Sequence, residues 1–462
     1  MNAHYDLIII GAGSGNSILT PEFDDMSVAI IEENKFGGTC MNVGCIPTKM
    51  FVKAADLAFD ALNAERLGLD IEYKAADWPA MVKRIFHNRI DLIAAGGEEY
   101  RRGNGSPNVT VYDQHATFVG EKTIKTGQGG EEAIITADTI VVAAGARAVI
   151  PEWAQDVPHH TSDDIMRLER QPESLTIVGG GFIAMEFAHI FNSLGTTVRV
   201  VNRTPLLRTL DATITDRFGD IAADTYETHL GRTVDTAESD GNSVTLTLDD
   251  GTTVTSEALL VATGRRPNGD RLNAQEAGID LREDGRILVD EFGRTTADGV
   301  WALGDVSSPY QLKHVANAET RAVRHNLLHP DDLVPMPHEH VPFAVFTHPQ
   351  IATVGLTEDQ ARDAGFDVTV KVQNYGDVAY GWALEDTTGI CKLVADRTTG
   401  KLLGAHYMGP EASTLIQQMI TVMAFDLDLR DVPRSQYWIH PALPEVTENA
   451  ILGLDLEFRG PQ

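Results

Sequence analysis

The chain has 462 residues, about three times the usual single-domain length of roughly 150, so several domains are expected. Apolar residues make up 43%, which excludes a disordered chain, and no apolar run approaches the ~20 residues of a membrane helix. A net charge of −30, from 37 basic and 67 acidic side chains, argues against nucleic acid and anionic lipid as partners.

Three cysteines are too few for a secreted disulfide framework, and Met1 to Asp6 carry no basic region. No signal peptide is therefore expected, and a cytoplasmic location is. No metal cluster is expected either.

The first strong element is a buried-strand run over residues 5–10, followed by Gly11-Ala12-Gly13-Ser14-Gly15-Asn16. A second apolar strand, 28–31, ends at Glu32, which predicts a βαβ unit of the dinucleotide-binding type. A helix-rich stretch from about Cys45 to Arg102 follows, and a closing strand over 140–145 ends at Gly145. The plan then recurs. Residues 175–178 lead into Gly179-Gly180-Gly181-Phe182-Ile183-Ala184, and 198–201 form the next strand. A hairpin over 244–255 precedes a second closing strand ending at Gly264. One nucleotide-binding plan is thus used twice, with an insertion carrying two cysteines in the first copy. A linker at 265–269 leads to a return segment ending in Leu303-Gly304-Asp305, and from Val341 strands at 368–372, 391–394 and 402–407 alternate with helices. The expected division is 1–151, 152–270, 271–340 and 341–462: α/β, with two Rossmann-like units, a central segment returning to the first, and a C-terminal α+β domain.

Each glycine-rich turn lets backbone approach a pyrophosphate at a helix N-terminus. Neither loop has its third glycine: Asn16 and Ala184 stand there, and Asn16 is expected to widen the helix–strand contact. Glu32 lies about twenty positions after Gly11, where a carboxylate binds free ribose hydroxyls. The second copy has Asn202 at that place, with Arg203 and Arg208 after it. No carboxylate repels a 2′-phosphate there and two guanidiniums can hold it, so the second site reads as NADPH.

Cys40 and Cys45 are five positions apart with glycine between, and approach disulfide distance only in a distorted or helical loop. Pro47 suits the first turn of a helix, whose N-terminus favours a thiolate. Cys391, inside an apolar run, reads as a core thiol. Thiol–disulfide exchange needs an acid/base, and His440, bracketed by prolines and followed by Glu445, is the candidate.

Gly-Gly-Thr-Cys40 through Cys45-Ile-Pro-Thr-Lys49, Gly179 through Glu186, Ala262-Thr-Gly-Arg-Arg-Pro267, Leu303-Gly-Asp305 and His440-Pro through Glu445 resemble the flavoprotein disulfide reductases of the glutathione reductase and dihydrolipoamide dehydrogenase family, end to end. Lys49-Met50-Phe51, 375–382, 436–445 and the Asn16 loop are similar to its mycothione reductase branch. The resemblance implies FAD against Gly11, Gly13, Ser14, Glu32, Gly38, Thr39, Lys49, Ala116, Gly145 and Asp305. It implies NADPH against Gly179, Gly181, Phe182, Ile183, Asn202, Arg203, Arg208 and Gly264, with Phe182 gating the nicotinamide. Lys49 would pair with Glu186; Cys45 would face the flavin as a thiolate, and Cys40 would attack substrate. His440 and Glu445 would come from the other subunit of a homodimer, and the substrate would be mycothiol disulfide. An NAD-linked dihydrolipoamide dehydrogenase would want a carboxylate at Asn202, and a mercuric reductase a second cysteine pair near the C-terminus. A redox-sensing flavoprotein without catalysis would not need both the cysteine pair and His440–Glu445.

Overall fold

Strand Asn2–Ile10 is apolar and buried on both faces over Leu7–Ile10, where it lies inside a parallel sheet between Val28–Ile31 and Glu131–Val142. The computed structural model describes residues 2–460. Val109–Tyr112 extends the sheet beyond Val28–Ile31, and Val300–Ala302 from the return segment pairs with Glu131–Val142. The second sheet repeats the order as Glu227–Leu230, Thr197–Asn202, Ser174–Val178 and Ala258–Val261, all parallel. Each copy makes an antiparallel excursion before its closing strand. In the first it is Thr117–Gly120 with Thr123–Gln128; in the second it is Val234–Ser239, Val244–Leu248 and Thr253–Ser256.

The glycine after each central strand is one device used twice. At Gly11 (φ +104°) a Cβ would stand 2.3 Å from the Ala143 carbonyl oxygen, and at Gly179 (φ +139°) 2.2 Å from that of Ala262. Any side chain would push the closing strand away.

After the glycine loops the copies diverge. The second loop runs into the α-helix Phe182–Ser193, whereas the first passes only through the 3₁₀ turns Gly15–Ile18 and Pro21–Phe23. The βαβ expectation fails here because Pro21 forces Thr20 into extended backbone (φ −125°, ψ 173°) and ends the turn. Nor does Asn16 widen a contact. Gly15 makes the close approach, where a Cβ would lie 2.7 Å from the Ala143 side chain. Asn16 turns away, its Oδ1 accepting from Arg101 Nε at 2.8 Å.

The insertion supplies the helices Cys45–Leu62, Trp78–Val82 and Asp91–Arg102. Phe51 and Phe191 sandwich Trp78, with ring centroids 4.9 and 5.2 Å away, so the cysteine helix shares a core with helix Phe182–Ser193. A two-stranded antiparallel ribbon, Ala146–Ala148 with Arg265–Pro267, ties the two nucleotide units at their closing ends.

The C-terminal part is a five-stranded antiparallel sheet in the order Phe343–Val345, Ile351–Gly355, Leu402–Met408, Ile390–Asp396, Val368–Asn374. Helices Ala412–Ala424 and Pro444–Leu452 share its core. Cys391 is fully buried there, its thiol pushed up to about 12 by desolvation. Among the described residues no helix is long and apolar enough to cross a membrane.

Candidate active site

A short helix and the start of a long one set the cysteine spacing. Gly37 and Gly38 take positive φ (97° and 64°), which starts helix Gly38–Asn42 directly against the first glycine loop. A Cβ on Gly38 would stand 2.8 Å from Gly13 Cα, so position 38 requires glycine. Buried Asn42 anchors the turn, donating to the carbonyls of Phe36 (2.8 Å) and Gly38 (3.1 Å). Gly44 lies where a Cβ would meet the Thr39 carbonyl at 2.9 Å, and Cys45 opens the next helix. The outcome is Cys40 and Cys45 side by side as free thiols, with Cys40 S–H donating to the Cys45 sulfur.

That bond separates the two thiols. Cys45 is drawn down to about 7, first by the Cys40 hydrogen bond and further by the Lys49 ammonium, against the cost of burial. Cys40 is pushed upward because its proton is held in the same bond. Lys49, one helical turn beyond Cys45, reaches Glu186 Oε2 at 2.5 Å. Glu186 is 4% exposed, and its other oxygen accepts the Phe346 N–H at 3.0 Å. Lys49 Nζ also lies 4.7 Å from the Phe346 ring centroid. Both nucleotide units and the C-terminal domain therefore meet beside Cys45.

A cleft of about 1810 Å³ runs through this junction. Its lining includes Glu32 and Ala116, Gly11, Gly13, Ser14, Gly38 and Thr39, Gly145 and Asp305, Cys40, Cys45 and Lys49, and Phe182 and Ile183. Burial raises the carboxyls of both Glu32 and Asp305. Glu32 is fixed by the N–H groups of Ala12 (2.8 Å) and Asn34 (2.9 Å). A glycine cradle with no room for Cβ, an acid at the end of the second strand and a long cleft fit an extended flavin dinucleotide.

Gly179, Gly181, Asn202, Arg203, Arg208 and Gly264 do not line that cleft; they gather at the carboxyl end of the second sheet. Arg203 and Arg208 are exposed and make no ion pair among the described residues. Asn202 Nδ2 lies over Gly180 and donates to the Thr204 carbonyl at 2.8 Å, which braces the loop. Phe182, 40% exposed, stands at the start of its helix and faces the cleft.

His440 Nδ1 lies 2.8 Å from Glu445 Oε1, and Glu445 Oε2 accepts the Ala442 N–H at 3.2 Å. The His440 bond holds the Glu445 carboxyl below its usual range. Neither residue lines the cleft. The His440 ring is 70% exposed, and neighbouring Tyr437 and Ile439 stand in solvent. Four groups had gone unnoticed in the sequence. Asn42 sits between the cysteines, and Arg265, whose guanidinium opposes the rise at Asp305, lies inside a quoted motif. Phe346 and Lys313 come from segments with no local signature.

The chain matches the pyridine nucleotide-disulphide oxidoreductase family over residues 5–322 and that family's dimerisation domain over residues 341–451. A mycothione reductase of Mycobacterium tuberculosis is 53% identical over 97% of this chain and 99% of its own. A glutathione reductase of Burkholderia cepacia is 32% identical, covering 96% of this chain and 97% of its own. Among solved structures, the Cu(II) complex of an HOCl-induced flavoprotein disulfide reductase of Escherichia coli aligns with a TM-score of 0.87 at 28% identity, covering 98% of this chain and 99% of that one. Matched along most of its length, and more than half identical to one such enzyme, the chain belongs to the pyridine nucleotide-disulphide oxidoreductase family.

Proposed function

We propose that the enzyme reduces mycothiol disulfide to two mycothiol molecules with NADPH as electron donor, in the cytoplasm. The observation that carries the substrate is the 53% identity to a mycothione reductase across nearly the whole chain. The placement of Cys40, Cys45, Lys49 and Glu186 on one cleft supports the chemistry. The functional units follow the division at 151, 270 and 340.

The Gly11–Gly13–Gly38 cradle with Glu32 and Asp305 would hold FAD, which when bound would supply the two-electron link between NADPH and the Cys40–Cys45 disulfide. Lys49 keeps Cys45 as the thiolate while Cys40 carries the proton. His440 of the partner subunit takes that proton, oriented by the partner subunit's Glu445. The Cys40 sulfur then bonds to one sulfur of the substrate, the substrate S–S bond breaks, and the departing thiolate collects the proton from the imidazolium. Cys45 thiolate attacks the Cys40 sulfur, re-forms the disulfide and expels the second mycothiol, which is protonated by solvent. Two electrons leave the dithiol and one disulfide becomes two thiols.

The test is steady-state turnover of the FAD-loaded protein with NADPH or NADH against mycothiol disulfide, glutathione disulfide and lipoamide. NADPH with mycothiol disulfide is expected to be fastest. Equal or faster turnover of lipoamide with NAD(H) would overturn the assignment.

A further inference from the structure

Both nucleotide units begin with a strand and a glycine turn, but only the second turn opens an α-helix. Backbone at such a turn is ordinarily fixed by the helix that follows it. The first turn is followed by the four-residue 3₁₀ turn Gly15–Ile18, which has no side-chain cap. A side chain from the insertion stands there instead. Arg101 Nε donates to Asn16 Oδ1 at 2.8 Å and Nη2 to the Asn16 carbonyl at 3.3 Å, while Nη1 donates to the buried Ser106 Oγ at 3.0 Å. Among the described residues Arg101 makes no ion pair. Its helix, Asp91–Arg102, is pinned at the other end, where Asp91 meets Lys35 and Arg167, each at 2.9 Å. Stabilising the last turn of that helix does not require Arg101, because Arg102 already stands there and pairs with Glu98 at 2.7 Å.

We propose that Arg101 is the positioning residue of the first glycine loop, fixing through Asn16 the backbone that would hold FAD, in place of the helix that the second unit has. The inference rests on the reading of that loop as the flavin cradle. It gives Asn16 a purpose that the dinucleotide pattern does not. A glycine at position 16 would offer no side-chain acceptor to Arg101. In the second unit the equivalent Ala184 is buried inside helix Phe182–Ser193, whose own ladder holds the turn, and no clamp is needed. The planar guanidinium suits the task because its fork reaches a side-chain and a backbone oxygen of one residue together, which an ammonium does less well. Two residues earlier Ser14 is held by Lys313 Nζ at 2.8 Å and Thr320 Oγ1 at 3.3 Å, so the loop is fastened from two distant segments rather than by its own helix. The insertion that carries the cysteines thereby also sets the shape of the flavin loop.

The experiment measures release of FAD from the holoenzyme, followed as free-flavin fluorescence after dilution, beside thermal melts in saturating FAD. Arg101→Met is expected to release FAD about tenfold faster, the scale of losing hydrogen bonds from a charged donor. Arg102→Met alters the same helical turn without touching the loop and is expected to release FAD at the parent rate. Equal acceleration in both would be an effect of helix stability and overturns the proposal. Asn16→Gly completes the glycine pattern yet is expected to release FAD faster, whereas Asn16→Asp keeps the acceptor and is expected to retain it. In the Arg101→Met background Asn16→Gly is expected to add nothing. An Asn16→Gly enzyme that holds FAD as well as the parent, or an effect that adds to that of Arg101→Met, overturns the proposal. If Arg101→Met does not fold, Asn16→Gly against Asn16→Asp decides. Gly38→Ala obstructs the cradle directly. Parental FAD release by that variant defeats the cradle reading, while faster release there with a parental rate in Arg101→Met defeats the clamp alone.

Discussion

Lys49 and Glu186 meet at 2.5 Å across the boundary between the cysteine helix and the second nucleotide unit. The lysine adds to the Cys40 hydrogen bond in drawing the Cys45 thiol down, and the carboxylate holds the C-terminal domain through the Phe346 N–H. Lys49→Met strands a buried carboxylate, which costs about 3 kcal/mol, at the low end for a buried pair because the lysine side chain is one-third exposed. It also leaves Cys45 beside an uncompensated negative charge. The expected result is a lower melting temperature and a Cys45 alkylation midpoint above that of the parent protein.

Cys40→Ser separates flavin chemistry from disulfide exchange. Cys45 remains beside Lys49, and the glycine cradle is untouched. The variant is expected to bind FAD and oxidise NADPH with artificial acceptors, yet lose at least 99% of disulfide turnover, on the order of what a missing nucleophile costs. Turnover comparable to the parent enzyme would reassign the attack to Cys45.

Glu445 is a carboxylate with a depressed pKa, first because His440 donates to it. Its contribution is present above the unfolded value of 4.5 and disappears as pH falls through the lower folded value. The His440 ring is mostly exposed, so the stability effect is small and the larger consequence is orientation of the imidazole. Glu445→Gln is expected to lower turnover roughly tenfold at neutral pH while changing the melting temperature little, as read by parallel assays and thermal melts.

A composite site predicts rescue between two dead subunits. In a hybrid of a Cys40→Ser subunit with a His440→Ala subunit, one of the two sites regains both groups. Random pairing then gives about a quarter of the parent activity. Co-expression with separable tags measures this, and a hybrid as inactive as its parents would place His440 and Cys40 in the same chain.

The exposed, unpaired Arg203 and Arg208 follow Asn202 at the end of the second sheet. Removing either by Ala is expected to raise the KM for NADPH about tenfold and leave that for NADH unchanged, since only the 2′-phosphate is lost as a partner. Initial rates with both nucleotides give the answer.

The doubled plan was legible because buried parallel strands read as continuous apolar runs, and because Gly11 and Gly179 meet the same obstruction in each copy. The C-terminal strands at 368–372, 391–394 and 402–407 were readable for the same reason, and each proved up to two residues longer at an end. What stayed hidden depended on distant partners. The missing first helix was signalled only by Thr20-Pro21, a local breaker outweighed by the family-like glycine loop. The bracing role of Asn202 was hidden because nothing in the sequence shows that its amide lies over Gly180 and that Thr204 accepts from it. Lys313 lines the cleft beside Ser14, some three hundred residues earlier in the chain.

The ribbon that pairs Arg265 with Ala148, Arg266 with Arg147 and Pro267 with Ala146 imposes a rule on any lengthening of the chain. Arg265 turns inward, with its side chain 9% exposed, and donates to the Ala146 carbonyl. Arg266 points outward to Asp270. One residue added to either closing strand would exchange the two faces, turning Arg266 inward and Arg265 out toward water. Extra residues are tolerable in the hairpin tips at Gly129–Gly130 and Asp249–Gly251, which are exposed. At the ribbon the chain length is set to the single residue.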